Sequence, residues 1–114
     1  MRLRVKKYLY DIQQACRLLE QFTTGRGLQD YEADALLRSG VERQFEVIGE
    51  ALRQMREIAP GLVDRITEAR RIIGFRNVLI HGYASVSNKT VWDVLTTDLP
   101  RLRGEVDELL RGLP

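Results

Sequence analysis

Apolar side chains recur every three or four residues along nearly the whole chain, and this helical spacing limits the fold more than any other feature of the sequence. In the first segment the repeat is marked by Leu9, Ile12, Leu19 and Phe22, and Gly25 ends it. No stretch of useful length alternates between apolar and polar residues, as the strands of a half-buried β-sheet would. The sequence therefore predicts an all-α fold.

Residues that cap or break helices divide the periodic stretches that follow. Asp30 is expected to cap a second, long helix, and Pro60 is expected to end it, because proline interrupts helical hydrogen bonding. A third helix is predicted to begin near Asp64 or Thr67 and to run to about His81. Each of these helices carries an apolar stripe, so we expect them to pack side by side.

The C-terminal part of the sequence predicts a loop and then the last helical region. Ser87 or Asn88 is the candidate N-cap after the loop. Asp98 precedes Leu99 and Pro100, which indicates a fresh helix start, because a proline in the first turn needs no N–H partner. Residues 1–114 are therefore predicted to form one domain, an up-and-down bundle of four to five helices.

The composition is that of a globular protein and excludes several kinds of site. Hydrophobic residues make up 44% and charged residues 30% of the sequence, with a net charge of +2. Cys16 is the only cysteine, so neither an internal disulfide nor a thiolate-rich metal site can form. No apolar run approaches the roughly 20 residues of a membrane span, and the basic N-terminal residues are not followed by the apolar stretch of a signal peptide. We therefore expect a cytoplasmic protein that does not enter membranes.

The chemistry of the chain is concentrated in residues 75–83, which read Phe-Arg-Asn-Val-Leu-Ile-His-Gly-Tyr. His81 is the only histidine, and histidine is the commonest acid–base catalyst near neutral pH. Arg76 adds a group that binds phosphate, Asn77 adds an amide and Tyr83 adds a phenol. If the chain is an enzyme, these four side chains form its candidate site. A metal site is disfavoured, because the one histidine has no second ligand one helical turn away.

A helix over this motif separates its two strongest candidates. At about 100° per residue, Arg70, Gly74, Asn77 and His81 fall on one stripe away from the apolar face, where the Asn77 amide can orient the His81 ring. Arg76 lies about 140° around the helix from His81. Either its long side chain reaches around, or two copies of the helix meet across a two-fold axis and combine their groups. The plainer alternative is an arginine that pairs with a carboxylate and a histidine that caps the helix.

The second helix carries charges of both signs on its polar face, at spacings of three and four residues: Arg43, Glu46, Glu50, Arg53 and Glu57. Such spacing is typical of a solvated ladder of ion pairs. A sharper hypothesis is that Arg43 and Glu50 line a cleft of a dimer. Cys16 lies among apolar residues of the first helix and is expected to be a buried structural thiol.

Four parts of the sequence, in the right order, resemble the HepT-like family of HEPN-domain proteins. They are residues 8–12, residues 41–43 with 48–51, residues 75–83, and residues 91–92 with 98–100. The third part contains the family's Arg-x4-His-x-Tyr motif as Arg76, His81 and Tyr83. Arg-x4-His alone is a weak pattern, whereas four matches in order identify the family.

This resemblance implies an all-helical homodimer that acts as a metal-independent endoribonuclease on RNA, not on DNA, and needs no cofactor. Arg76 and His81 take the family's catalytic positions, and Asn77 is the polar residue inside the motif. Members are the toxin halves of toxin–antitoxin pairs, in which a minimal nucleotidyltransferase of the MNT type adenylylates the tyrosine at the position of Tyr83. The alternative is a non-catalytic helical subunit that binds the nucleotidyltransferase and positions its substrate.

Overall fold

A computed structural model describes residues 2–82 and 86–113, and all of its regular secondary structure in these ranges is helical. The α-helices of the described residues are α1 (Arg2–Thr23), α2 (Leu28–Ala33), α3 (Ala35–Ile58), α4 (Pro60–Val63), α5 (Ala69–His81), α6 (Asn88–Asp93) and α7 (Leu99–Arg111). A π-helical turn over Val94–Asp98 joins α6 to α7. The predicted all-α fold is confirmed. It consists of four main helical units, which are α1, α3, α5 and the α6–α7 unit, and two short helices.

The core is formed where α1 and α5 pack against α3, and α7 packs against α1. Leu9, Ile12 and Leu52 are completely buried there, as the predicted apolar stripes require. The rings of Phe45 and Phe75 meet edge to face, with centroids 5.3 Å apart, and this contact joins α3 to α5. Cys16 is buried, as predicted, and burial raises the pKa of its thiol to about 12. Within the described ranges, no helix is both long enough and apolar enough to cross a membrane.

The predicted cap of the second helix is wrong. The helix breaks at Asp34, whose extended backbone (φ −123°, ψ 100°) separates α2 from α3 and whose side chain accepts a hydrogen bond from the Leu37 amide at 3.1 Å. Asp30 lies inside α2, and its carboxylate accepts from the Gly27 amide at 2.8 Å. Both aspartates suit a helix start, and the one adjacent to the long apolar stripe caps the long helix.

The third long helix begins later than predicted, at Ala69 rather than near Asp64 or Thr67. The reason is a contact with α7: the Thr67 amide donates to Glu105 Oε1 at 3.0 Å, and the Thr67 hydroxyl donates to Glu105 Oε2 at 2.6 Å. These bonds occupy Thr67 outside a helix. The predicted end of α5 at His81 is confirmed, and the Gly82 amide donates to the Val78 carbonyl at 2.7 Å.

The remaining predicted boundaries agree with the structure. Pro60 follows the end of α3, the Ser87 hydroxyl caps α6 by accepting from the Thr90 amide at 3.0 Å, and Pro100 lies in the first turn of α7. Asp98 ends the π-helical turn and is only 2% exposed, and its carboxylate faces Arg71 of α5 with Oδ2 3.2 Å from Nε. Burial raises the pKa of Asp98, although Arg71 opposes the rise. This pair links α5 to the C-terminal unit.

Gly49 allows α3 and α5 to approach closely. A Cβ atom at this position would lie 2.8 Å from Arg76 Cγ, closer still to Arg76 Cβ, and 3.3 Å from the Ile72 carbonyl oxygen. Gly74 of α5 does not serve this contact, because nothing of this chain lies within 4 Å of a Cβ built there. The glycine that the fold needs between these helices is therefore Gly49.

Gly49→Ala is expected to destabilise the chain by about 1–3 kcal/mol, because the new methyl group overlaps atoms near the backbone of α5 that cannot move alone. Gly104→Ala is the matched control, because it lies within α7 and a Cβ there meets nothing within 4 Å. The control should gain about 0.5–1 kcal/mol from its better helix propensity. Unfolding in urea followed by circular dichroism measures both. If Gly49→Ala had the same free energy of unfolding as Gly104→Ala, the close contact between α3 and α5 at Gly49 would be contradicted.

Candidate active site

The outward face of α5 carries the predicted stripe, and all of its members are exposed: Arg70, Gly74, Asn77 and His81. Ile72 and Leu79, on the other side of the helix, are buried. The prediction that His81 lies off the apolar face is therefore confirmed. His81 is the last residue of α5, so its imidazole is accessible from solvent at the end of the helix.

Arg76 lies on the side of α5 that faces α3 and is only 20% exposed. Its guanidinium forms an ion pair with Glu50, with Nη2 3.0 Å from Oε1, and donates a hydrogen bond through Nη1 to Asn77 Oδ1 at 3.1 Å. Nε is buried and has no hydrogen-bond partner among the described residues. The Asn77 amide, predicted to orient His81, thus contacts the arginine of the motif.

Glu50, which the sequence placed in a ladder of ion pairs or in a cleft of a dimer, faces Arg76. Its Oε1 accepts from Arg53 Nε at 3.0 Å, and its Oε2 accepts from Arg53 Nη2 and Gln54 Nε2, each at 2.9 Å. The hydrogen bonds from Arg53 and Gln54, together with the charges of Arg53 and Arg76, lower the pKa of Glu50 to about 2. Glu50 is therefore an anion that holds Arg76. The feature of the sequence that could have indicated this role of Glu50 is the preceding glycine, Gly49, which lies where α3 contacts α5.

A groove of about 260 Å³ opens where α1, α3 and α5 meet. Its charged lining consists of Asp11, Arg43, Glu46, Glu50 and Arg76. Arg43 Nη1 lies 3.5 Å from Glu46 Oε1, so the predicted ladder of ion pairs is present on α3. Arg43 and Glu50 line the same groove as Arg76, and the sharper hypothesis, that they line a cleft of a dimer, stays a prediction.

His81 is not among the residues that line this groove. One chain therefore places a phosphate-binding cation in the groove and an accessible imidazole on another side of the same helix. Together these groups offer charge stabilisation and proton transfer, the two elements of phosphodiester cleavage. Tyr83 lies outside the described residues, so its position relative to them stays a prediction.

Glu50→Gln is expected to flatten the loss of stability in acid. The pKa of Glu50 is about 2 in the folded chain against an ordinary 4.5, so its carboxylate stabilises the folded state above about pH 4.5, and this contribution disappears as the pH falls towards 2. Free energies of unfolding in urea, measured from neutral pH downwards, should fall more steeply for the wild type than for Glu50→Gln.

Glu57→Gln is the control for this measurement, because Glu57 also faces Arg53, at 3.7 Å, but is 68% exposed. It should follow the wild type. Parallel profiles for the wild type and Glu50→Gln would show that the carboxylate is not tied to the folded state as described.

Comparisons with known proteins match most of the chain to one family. The family described as ribonuclease HepT-like matches residues 12–109. A protein of Thermococcus cleftensis named as a probable ribonuclease HepT is 33% identical over 104 residues, which cover 91% of this chain and 94% of the relative. A candidate RNase of Methanocaldococcus jannaschii is 30% identical over 107 residues, covering 90% of this chain and 94% of the relative. No solved structure matches significantly. The chain therefore belongs to the ribonuclease HepT-like family.

Proposed function

We propose that this ribonuclease cleaves RNA without a metal ion, through Arg76 and His81, and that it is the toxic component of a toxin–antitoxin pair. The observation that supports the proposal is the position and exposure of the Arg76 and His81 side chains. Arg76 is fixed by Glu50 at the edge of an open groove, and His81 is exposed at the end of the same helix. Both groups are thus available to an RNA strand that lies across this end of α5.

The chemistry needs no external nucleophile. The 2′-hydroxyl of the nucleotide attacks the adjacent phosphorus, the bond to the 5′-oxygen of the next nucleotide breaks, and a 2′,3′-cyclic phosphate and a free 5′-hydroxyl result. His81 takes the proton of the 2′-hydroxyl or gives one to the leaving oxygen, and Arg76 stabilises the charge on the non-bridging oxygens. DNA lacks the 2′-hydroxyl and is expected to resist.

A homodimer in which two copies of α5 combine their groups solves two problems of this mechanism. One imidazole cannot act as base and acid in the same step, and the groove of one chain lacks His81. The outward face of α5 suits a contact between copies, because Gly74 leaves room for a neighbouring backbone and Val78 is 45% exposed. We therefore place the two-fold axis at or near this face.

Arg76→Ala and His81→Ala are each expected to lower RNA cleavage by about 10²- to 10⁴-fold, because each removes a group that acts on the reacting phosphate or its protons. Cleavage of labelled RNA by the purified protein measures the effect, with EDTA present and absent. EDTA should leave the wild-type rate unchanged. Lys89→Ala, an exposed change on α6, is the control and should cleave like the wild type.

Circular dichroism and sedimentation should show that both variants keep their helix content and their dimeric mass. A strict requirement for Mg²⁺, or full activity of His81→Ala, would refute the mechanism. A wild type that is monomeric and active would remove the composite site while leaving the catalytic residues in place.

The regulatory part of the proposal concerns Tyr83 and an MNT-type nucleotidyltransferase. In adenylylation the tyrosine hydroxyl attacks the α-phosphorus of ATP and pyrophosphate leaves. The new phosphate would lie two residues past His81, where it can pair with Arg76 and occupy the place of the RNA phosphate. Adenosine would then block access to the groove.

Tyr83→Phe is therefore expected to keep most of its cleavage activity and to escape silencing by a co-expressed cognate nucleotidyltransferase. Mass spectrometry should detect one or more added AMP units on the wild type and none on Tyr83→Phe. Tyr10→Phe, which changes an exposed tyrosine on α1, should still be silenced. If the partner neutralises Tyr83→Phe as well as the wild type and no mass is added, inhibition occurs by binding alone.

A further inference from the structure

The groove beside Arg76 has an apolar and aromatic side that phosphate chemistry does not use. Tyr8 of α1, Val47 and Ala51 of α3, and Ile80 of α5 form this side. The Tyr8 ring is partly buried against the core, and the Lys7 ammonium lies over it, 5.8 Å from the centroid. A partly fixed aromatic wall next to aliphatic side chains suits a flat, uncharged ring.

The charges of the groove also argue against a second phosphate. Three carboxylates, from Asp11, Glu46 and Glu50, line it against two arginines, and each arginine already pairs with one of the carboxylates. Asp11 also pairs with Lys7 at 2.7 Å, and Glu50 also pairs with Arg53 at 2.9 Å, so each of these cations already faces a carboxylate. This pairing weakens their attraction for a second phosphate. Carboxylates that accept hydrogen bonds instead favour a ligand that carries N–H donors.

Glu46 is the carboxylate with the most free accepting capacity. Its Oε1 lies 3.5 Å from Arg43 Nη1, and its Oε2 accepts no hydrogen bond from the described residues. The oxygens of Glu50 are occupied by Arg53, Gln54 and Arg76. A donor that enters the groove therefore meets Glu46.

We propose that the groove binds one nucleobase of the RNA, next to the phosphate held by Arg76, with the base against Tyr8 and its exocyclic amino group donating to Glu46. This inference rests on the proposed function, because it assigns the base that accompanies the reacting phosphate. The volume of about 260 Å³ fits a single base, since pockets for drug-sized ligands hold roughly 300–1,000 Å³. Adenine, guanine and cytosine carry the amino group, whereas uracil offers only its ring N3–H as a donor, so we expect the groove to prefer the three bases with an amino group.

The test is binding of short single-stranded RNA whose 2′-oxygens are methylated, so that it cannot be cleaved. The full chain should bind oligoadenylate more tightly than oligouridylate. Tyr8→Ala should weaken binding of oligoadenylate by about 10- to 100-fold, the range for loss of base stacking, and Tyr8→Phe should keep it. Tyr10→Ala removes a tyrosine that is 55% exposed and does not line the groove, and it should bind like the wild type.

Two further readouts separate base binding from general damage. The dependence of affinity on salt should be the same for Tyr8→Ala and the wild type, because no phosphate contact is lost. Glu46→Ala changes a half-buried surface carboxylate and should fold normally. It should bind oligoadenylate and oligouridylate with similar affinity. If Tyr8→Ala fails to fold, the Glu46→Ala variant still tests whether the groove recognises the base.

Equal binding of the two oligonucleotides by the wild type, or an unchanged preference in Glu46→Ala, would overturn the inference. Cleavage of unmodified RNA, measured in parallel, tests the proposed ribonuclease mechanism separately from the base site. Binding that depends on Tyr8 without any cleavage would refute the ribonuclease mechanism and support the base site. Cleavage with binding that is independent of both Tyr8 and Glu46 would refute the base site and leave the mechanism intact.

Discussion

The ion pair between Arg76 and Glu50 determines how the site is arranged, because Arg76 is a cation on the core-facing side of its helix. A charge that is 80% removed from solvent must be paired, since an unpaired charge in that position costs several kcal/mol. Gly49 supplies the space for the stem of Arg76, and the next residue supplies the carboxylate. Gly49, Glu50 and Arg76 therefore act as one unit that joins α3 to α5 and sets the guanidinium at the edge of the groove.

This fixed position has a consequence for catalysis. If Arg76 reached around α5 to His81 within one chain, it would leave Glu50, with which it forms an ion pair at 3.0 Å, and Asn77, to which it donates a hydrogen bond at 3.1 Å. That rearrangement would exchange the ion pair and the hydrogen bond for solvent and RNA contacts and would open the contact near Gly49. In the proposed dimer, an imidazole from the second copy would not require Arg76 to reach around its helix, which is the physical reason to propose a composite site.

Periodicity and breakers predicted the helical fold, the end of the second long helix before Pro60, and the exposed face that carries His81. They did so because these features depend on neighbours in the sequence. The cap at Asp34, the late start of α5 beyond Thr67 and the close approach at Gly49 depend on partners that are distant in the sequence or on a choice between two similar caps. The spacing of residues along the sequence cannot decide between two similar caps or reveal contacts between distant residues. The sequence identified the residues of the motif but not Glu50 as the carboxylate that pairs with Arg76.

The other partners of Glu50 would allow Arg76 to leave the ion pair in the proposed reaction. Glu50 Oε1 is shared between Arg53 Nε and Arg76 Nη2, and Oε2 is held by Arg53 and Gln54. When an RNA phosphate draws the Arg76 guanidinium away, the carboxylate keeps its bidentate partner and is not left unpaired. Moving Arg76 therefore breaks its ion pair with Glu50 and its hydrogen bond to Asn77, but it leaves no unpaired anion behind. The proposed mechanism is therefore compatible with the ion pair, which holds Arg76 at the groove until an RNA phosphate replaces Glu50 as its partner.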